Sequence, residues 1–177
     1  MSAVSIHLSL EECGVRSWKR SDEDSLQRHA NNRKIWINLR DGFPSPYTRE
    51  DAREFLRIVT DLAPQTHFAI TVDEAAVGAI GFRLRDDVER CSAEIGYWLG
   101  EGFWGRGITT AALRAVTEYA MRTHELARVY AVPYEWNVAS FRVLEKAGYV
   151  LEGRMRSSAI KDGKIIDQLL YAFVRQD

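Results

Sequence analysis

The chain has 177 residues, 46% apolar and 28% charged, and a formal net charge of −1. That suits one domain with a full-sized core and excludes the basic surface that nucleic-acid binding requires. With no apolar run near 20 residues and no signal-peptide core, a cytoplasmic protein without a membrane partner is expected.

In chain order, weak alternation over Ile6–Leu10 and a second apolar stretch over Val15–Trp18 predict an N-terminal hairpin, about residues 4–18. Ser21 with Asp24 three residues on predicts the start of a short helix that fades at Asn31 and Asn32. Residues 38–47 hold one Gly and two Pro and predict a loop. Thr48 is placed to cap a helix whose apolar residues Ala52, Phe55, Leu56, Val59 and Leu62 keep helical spacing. His67–Val72, Ala76–Leu84 and Cys91–Leu99 read as a three-stranded meander, with turns at Asp73-Glu74 and Arg85–Arg90. A helix follows with the stripe Ile108, Ala112, Ala115 and Tyr119. Then come a strand over Arg128–Val132, a helix over Asn137–Ala147 with Gly148 as its C-cap, and two strands (149–160 and 164–174) joined at Asp162-Gly163. The order β-β-α-α-β-β-β-α-β-α-β-β describes an α+β domain around one mixed sheet. Cys13 and Cys91 fit no metal or redox spacing, so no metal is expected.

The strand-to-helix junction carrying Gly102, Gly105 and Gly107 is the most chemical feature. Glycines there expose backbone N–H groups, and the positive end of a helix dipole lies behind them, which makes an anion site suited to a diphosphate. A P-loop sequence is absent. Gly105-Arg-Gly107-Ile-Thr-Thr110 ends in Thr and follows a meander, unlike a dinucleotide fingerprint. The bland alternative is a tight turn needing glycine for shape alone. In the later helix, Asn137, Ser140, Phe141 and Leu144 share one side. Asn137 and Ser140 are either inward polar groups that need partners, or an N-cap and a small first-turn residue.

In this order the motifs Glu94-Ile-Gly-Tyr-Trp-Leu99, Gly102-Phe-Trp-Gly-Arg-Gly-Ile-Thr-Thr-Ala-Ala112, Asn137-x-x-Ser140-x-Arg142-x-Leu-Glu-Lys-x-Gly-Tyr149, Glu152-Gly-Arg154 and Lys161–Asp167 resemble the GNAT superfamily of acetyl-CoA-dependent N-acetyltransferases, in its RimJ/RimL-like branch. The resemblance spans about residues 15–174. It implies a single domain over residues 1–177, with a motif core over about 67–174. The central sheet would be mixed, mostly antiparallel, with helices on both faces, and splayed between its fourth and fifth core strands. It further implies that backbone amides from Trp104 through Gly105, Arg106, Gly107, Ile108 and Thr109 to Thr110 hold the CoA diphosphate. The pantetheine arm would lie along Trp98, Leu99 and Gly100, with Asn137 against it and Ser140 beside the thioester sulfur. Two departures stand out: position 144 is Leu where many members carry an acidic tyrosine, and Gly102 sits where Gln or Arg often opens the glycine motif.

The expected chemistry is direct acetyl transfer from acetyl-CoA to a primary amine, a protein N-terminal α-amine or a small molecule. Glu94 is the candidate base, its alternative being an arginine partner or solvent, and Ser140 is the candidate donor to the departing thiolate. A backbone N–H near Trp98 or Leu99 is the candidate oxyanion donor. The resemblance assigns the acceptor wall to the loop between the first two helices. Trp36, Asn38, Arg40 and Tyr47 are the candidates there, with Tyr134 and Trp136 from beyond the later strand; ordinary packing is the alternative for the aromatics. Tyr97 and Trp104 read as packing residues. A catalytically silent CoA sensor and a dinucleotide-binding enzyme are the competing classes, and a homodimer stays open.

Overall fold

One mixed sheet of eight strands runs through residues 5–7 and 13–175, which the computed structural model describes. Its strands are β1 (Ser5–His7), β2 (Cys13–Ser17), β3 (His67–Val72), β4 (Ala75–Leu84), β5 (Ser92–Leu99), β6 (Arg128–Ala131), β7 (Val150–Lys161) and β8 (Lys164–Val174). They lie in the order β1-β2-β3-β4-β5-β6-β8-β7. Every neighbouring pair is antiparallel except β5 and β6. The expected N-terminal hairpin forms, with Ser5 opposite Arg16 and His7 opposite Gly14; residues 4 and 8–12 of that expectation lie outside the described residues. Between β3 and β4, Asp73 and Glu74 both take positive φ (48° and 62°), the turn geometry that matches strand twist in a two-residue hairpin.

The helices are α1 (Glu23–Ala30), α2 (Arg33–Trp36), α3 (Arg49–Thr60), α4 (Ile108–Thr123) and α5 (Val138–Lys146). On one face of the sheet, Leu113 and Val116 of α4 and Leu144 of α5 close over Val15, Phe68, Ile70, Phe82 and Ile95. On the other face Leu26 of α1 and Ala52, Leu56 and Val59 of α3 cover small sheet residues, Ala69 and Ala76, beside Trp18. The small side chains bring this second layer close to the strands. α3 starts as expected: the Thr48 hydroxyl accepts from Asp51 N–H while the Asp51 carboxylate accepts from Thr48 N–H at 2.7 Å.

Three expectations need correction. Ser21 does not begin α1. A 3-10 turn over Arg20–Asp22 precedes the helix, and the buried Asp22 carboxylate accepts Lys19 N–H at 2.9 Å while ion-pairing with Arg16 at 2.8 Å. The first helix does fade at Asn31-Asn32, but the stretch after it, where no helix was expected, forms the short α2, because the Asn32 side chain caps it by accepting Lys34 N–H at 2.8 Å. The buried stripe of α4 is Ile108, Ala112, Leu113, Val116 and Ala120. Ala115 and Tyr119 sit at its margin, since a helix lying on a sheet buries a wide face rather than one row.

Candidate active site

The parallel pairing of β5 with β6 stops early. Ser92, Ala93 and Glu94 face Arg128, Val129 and Tyr130, after which β5 continues to Leu99 while β6 ends at Ala131. A cleft opens in the middle of the sheet, as expected for the fourth and fifth core strands counted from β2. Which backbone groups face it follows from alternation. Gly100 N–H bonds Val77 O at 2.8 Å, and Trp98 O points at Gly78 of β4. The N–H and C=O groups of Trp98 and Gly100 therefore serve β4, and those of Tyr97 and Leu99 face the cleft. The Leu99 carbonyl is already taken by the Trp104 indole N–H at 2.7 Å, which leaves Leu99 N–H as the free donor.

At the end of this edge a 3-10 turn (Glu101–Phe103) leads to the glycine turn and α4. Gly105 and Gly107 adopt φ of 76° and 79°, a left-handed conformation that costs any other residue. A Cβ on either would meet no heavy atom within 4 Å, so the space before the turn is open. Gly107 is the N-cap of α4, and no side chain among the described residues caps that helix. The first N–H groups of Ile108, Thr109 and Thr110 thus lack intrahelical acceptors and carry the positive end of a 16-residue dipole. The free N–H groups and the dipole together favour anionic oxygens at this turn. Arg106 lies over the Phe103 ring at 5.5 Å.

Successive side chains of β5 point to opposite faces. On the α4–α5 face the Tyr97 hydroxyl is 2.8 Å from Ser140 Oγ. Burial drives the Tyr97 phenol well above its ordinary pKa, opposed only by that hydrogen bond, so it stays protonated. Ser140 is itself buried in the first turn of α5. Asn137 caps that helix, its Oδ1 accepting Ser140 N–H at 3.1 Å, while its Nδ2 is unbonded among the described residues and the residue lines the cleft. The two readings of Asn137 are thus compatible, one per end of its amide. Leu144 is fully buried and leaves no acid in its place.

On the other face, Glu94 sits directly across from Arg83 of β4. Its carboxylate, 12% exposed, bonds Arg40 through Oε1, and Arg83 and Arg85 through Oε2 at 2.9 and 3.0 Å. The expected alternative for Glu94, an arginine partner, is present three times over. Arg85 also donates to the Tyr130 hydroxyl at 2.6 Å. The loop after α2 is tied across the cleft: the Tyr134 hydroxyl donates to Leu39 O at 3.2 Å and the Trp136 indole N–H to Asn38 Oδ1 at 3.0 Å. Buried Tyr47 stacks with Phe43 at 4.8 Å, and Phe43 meets Trp98 edge-on at 5.9 Å. Two acceptor candidates, Trp36 and Trp136, lie outside the lining of the main cavity, Trp136 facing a smaller neighbouring pocket. Trp36 lies beneath Lys161, whose ammonium is 3.6 Å from the ring centre and 2.7 Å from Asp41.

The cavity that joins these groups has about 1120 Å³, above the roughly 300–1,000 Å³ of a site for one small ligand. It passes through the gap in the sheet, with Tyr97 and Ser140 on one side and Glu94, Gly96 and Trp98 on the other. Two reactants can therefore meet from opposite faces. Sequence reasoning missed Tyr97 as a partner of Ser140, and Arg83, Arg85 and Gly96 as neighbours of Glu94. Alternation along β5 was the signal available for Tyr97 and Gly96, whereas Arg83 and Arg85 follow only from the β4–β5 register.

A family model described as "Acetyltransferase (GNAT) domain" matches residues 13–150. The chain is similar to the uncharacterized N-acetyltransferase p20 of Bacillus licheniformis, 26% identical over 96% of this chain and 97% of that protein. It is 31% identical to the ribosomal-protein-serine acetyltransferase of Escherichia coli (strain K12), over 59% of this chain and 58% of that protein. The solved structure of RimL, the ribosomal L7/L12 alpha-N-protein acetyltransferase in complex with coenzyme A, superposes with a TM-score of 0.84 at 24% identity, over 97% of this chain and 98% of that one. That likeness carries the fold, and the family model spans most of the sequence. The chain belongs to the GNAT family of acetyltransferases, with RimL- and RimJ-like proteins among its relatives.

Proposed function

We propose that this protein transfers the acetyl group of acetyl-CoA to a primary amine, with a protein N-terminal α-amine first among the acceptors and a small-molecule amine second. One observation carries the reading: a continuous cleft runs from an uncapped glycine-turn anion site to the Tyr97–Ser140 pair and opens through the sheet onto Glu94. The named relatives that modify ribosomal proteins support the order of acceptors. The reducing cytoplasm suits both cysteines, which are unpaired, and no helix among the described residues is long and apolar enough to cross a membrane.

In this reading the amides from Gly105 to Thr110 hold the diphosphate, with Arg106 alongside. The backbone of Tyr97 and Leu99 and the Asn137 amide align the pantetheine arm. Orientation of both reactants in one cleft contributes on the order of 7–11 kcal/mol. The amine nitrogen attacks the thioester carbon, the C–N bond forms and the C–S bond breaks. Leu99 N–H faces the oxygen that gains charge. Glu94 takes the amine proton, directly or through water, at Oε1, the oxygen with a single guanidinium bond. Ser140 gives its hydroxyl proton to the departing thiolate and is resupplied by solvent, with Tyr97 orienting its oxygen. An α-amine, with pKa about 7.7–8.0, needs less help from a base than lysine, near 10.4. The test is a thiol-release screen with acetyl-CoA against N-terminal peptides, polyamines, aminoacyl compounds and aminoglycosides. CoA binding without release for every amine would sink the transferase reading and leave a silent sensor.

A further inference from the structure

The acceptor side of the sheet has a bare floor and a surplus of positive charge. Ala79, Gly81 and Gly96 share this face across β4 and β5; His67 lies against Gly81, and Gly96 is exposed. A Cβ at Gly96 would meet no heavy atom within 4 Å, so this strand glycine leaves a slot rather than making room for a neighbour. Glycine in a strand interior marks the close approach of something else. Trp98 and Phe43 bound the slot at one end, and Arg83, Glu94 and Arg40 at the other. The charge census at that end is unbalanced: three guanidinium groups, from Arg40, Arg83 and Arg85, share the Glu94 carboxylate. Of the other acids, Asp41 is engaged by Lys161 and Glu152 by Arg128, and Glu89 acts on Arg85 through space without a hydrogen bond. Arg85 also spends donors on Tyr130. Arg40 and Arg83 each bond Glu94 through one terminal nitrogen and are 68% and 61% exposed, so donors of both forks remain for a ligand.

We propose that the acceptor amine carries an anionic group, carboxylate or phosphate, within a few bonds of its nitrogen, and that Arg40 and Arg83 bind this anion while the amine lies over Gly96. The inference rests on the acetyltransferase reading above and names the substrate class of the same site. The chemistry agrees on three counts. A guanidinium fork matches planar carboxylate and phosphate oxygens, and two forks arriving from different elements fix the ligand's orientation. The surplus charge disfavours an ammonium in the slot and so favours the free amine that reacts. An anion tied to the same arginines as Glu94 also puts the amine within reach of that carboxylate.

The test compares matched amines above their own pKa, where both members are free bases: phenylalanine against phenylalaninamide, phosphoethanolamine against ethanolamine, and the peptide Asp-Ala-Ala against Asn-Ala-Ala. The anionic member of at least one pair should have a kcat/KM about tenfold or more higher, weakening with added salt. The three pairs separate a small carboxylate, a phosphate and an acidic peptide end as the source. Arg40→Gln/Arg83→Gln should remove the preference, and Gly96→Val should raise KM for the amine while leaving CoA affinity unchanged. Calorimetric titration of the same pairs onto the CoA-loaded protein reads the preference without turnover. Neutral members that bind and react equally well, or a preference that survives in the double variant, would overturn the inference. Absence of turnover alongside anion-selective binding would overturn only the transferase reading.

Discussion

Replacing Gly107 by alanine separates the shape of the glycine turn from its use. Gly107 holds φ 79° and ψ −4° as the N-cap of α4, and an added Cβ meets no protein atom within 4 Å. Any loss of stability therefore comes from backbone conformation alone, about 1–2 kcal/mol for a non-glycine residue in the left-handed region. For a chain of this length that lowers Tm by about 2–8 °C. The same Cβ points into the open space before α4, where diphosphate oxygens would meet Ile108 and Thr109 N–H. Loss of one charge-assisted hydrogen bond there, about 1.5–3 kcal/mol, raises Kd for CoA about 10- to 150-fold. Gly163→Ala supplies the control. Its φ is 74° with nothing within 4 Å of a Cβ, and it sits in the β7–β8 turn, which ion-pairs with α2 through Asp162. It should show the same thermal loss and unchanged CoA affinity. Thermal unfolding with calorimetric titration of both folded variants decides the matter. Equal affinity for the Gly107→Ala variant and the parent would refute the turn as the diphosphate cradle.

Three other outcomes are expected. Ser140→Ala should lower kcat by up to roughly 10² with KM for acetyl-CoA little changed, and Tyr97→Phe should lower it less, because the phenol only orients Ser140; stopped-flow thiol release on both checks this, and equal losses would make Tyr97 more than an orienting group. Glu94→Gln should depress the low-pH side of the kcat/KM profile most, measured from about pH 6 to 9.5, since a base matters while the amine is protonated; parallel profiles would reduce Glu94 to positioning. Asp22→Asn should cost about 3 kcal/mol, the low end for removing one partner of a buried pair, because Arg16 keeps its bonds to the carbonyls of Ser17 and Glu74; a loss below about 1 kcal/mol in urea unfolding would contradict the assigned burial cost.

Where local chemistry decides conformation, the residues announced the fold. Thr48 three residues before an acid, Asp73-Glu74 between two apolar runs, and Gly107 before a helical stripe each set one element end by a nearby hydrogen bond or a single φ. The misjudged stretches depend on side-chain partners that hydrophobic spacing does not reveal, some near in sequence and some far. Asp22 displaces Ser21 at the start of α1 because Arg16, on β2, needs its carboxylate. The loop holding α2 is fixed by Tyr134, Trp136 and Lys161, each roughly a hundred or more residues away in sequence. No local window along the chain contains these last three pairs. Trp36, expected at the acceptor wall, lies at the end of α2 with a buried lysine from β7 over its face, a contact equally invisible to local sequence.

The site itself was half legible, and β5 shows where the division falls. Its motif names Glu94 and the glycine turn, yet the meaning of each position depends on parity and on which neighbour ends first. Because β6 stops at Ala131, the odd positions Tyr97 and Leu99 turn their backbone to a cleft rather than to another strand. Because side chains alternate, Tyr97 meets Ser140 on the face proposed for CoA while Glu94 and Gly96 lie on the face proposed for the acceptor. In the proposed reaction, a donor and an acceptor approaching from opposite faces meet at the residue where the pairing is lost. That residue is Glu94, the last on β5 still paired to β6, with Arg83 on one side and Tyr130 on the other. The place of the chemistry is thus set by strand length as much as by residue type. A sheet that splayed two residues later would carry the opening past Gly96 and leave Glu94 walled in among its arginines.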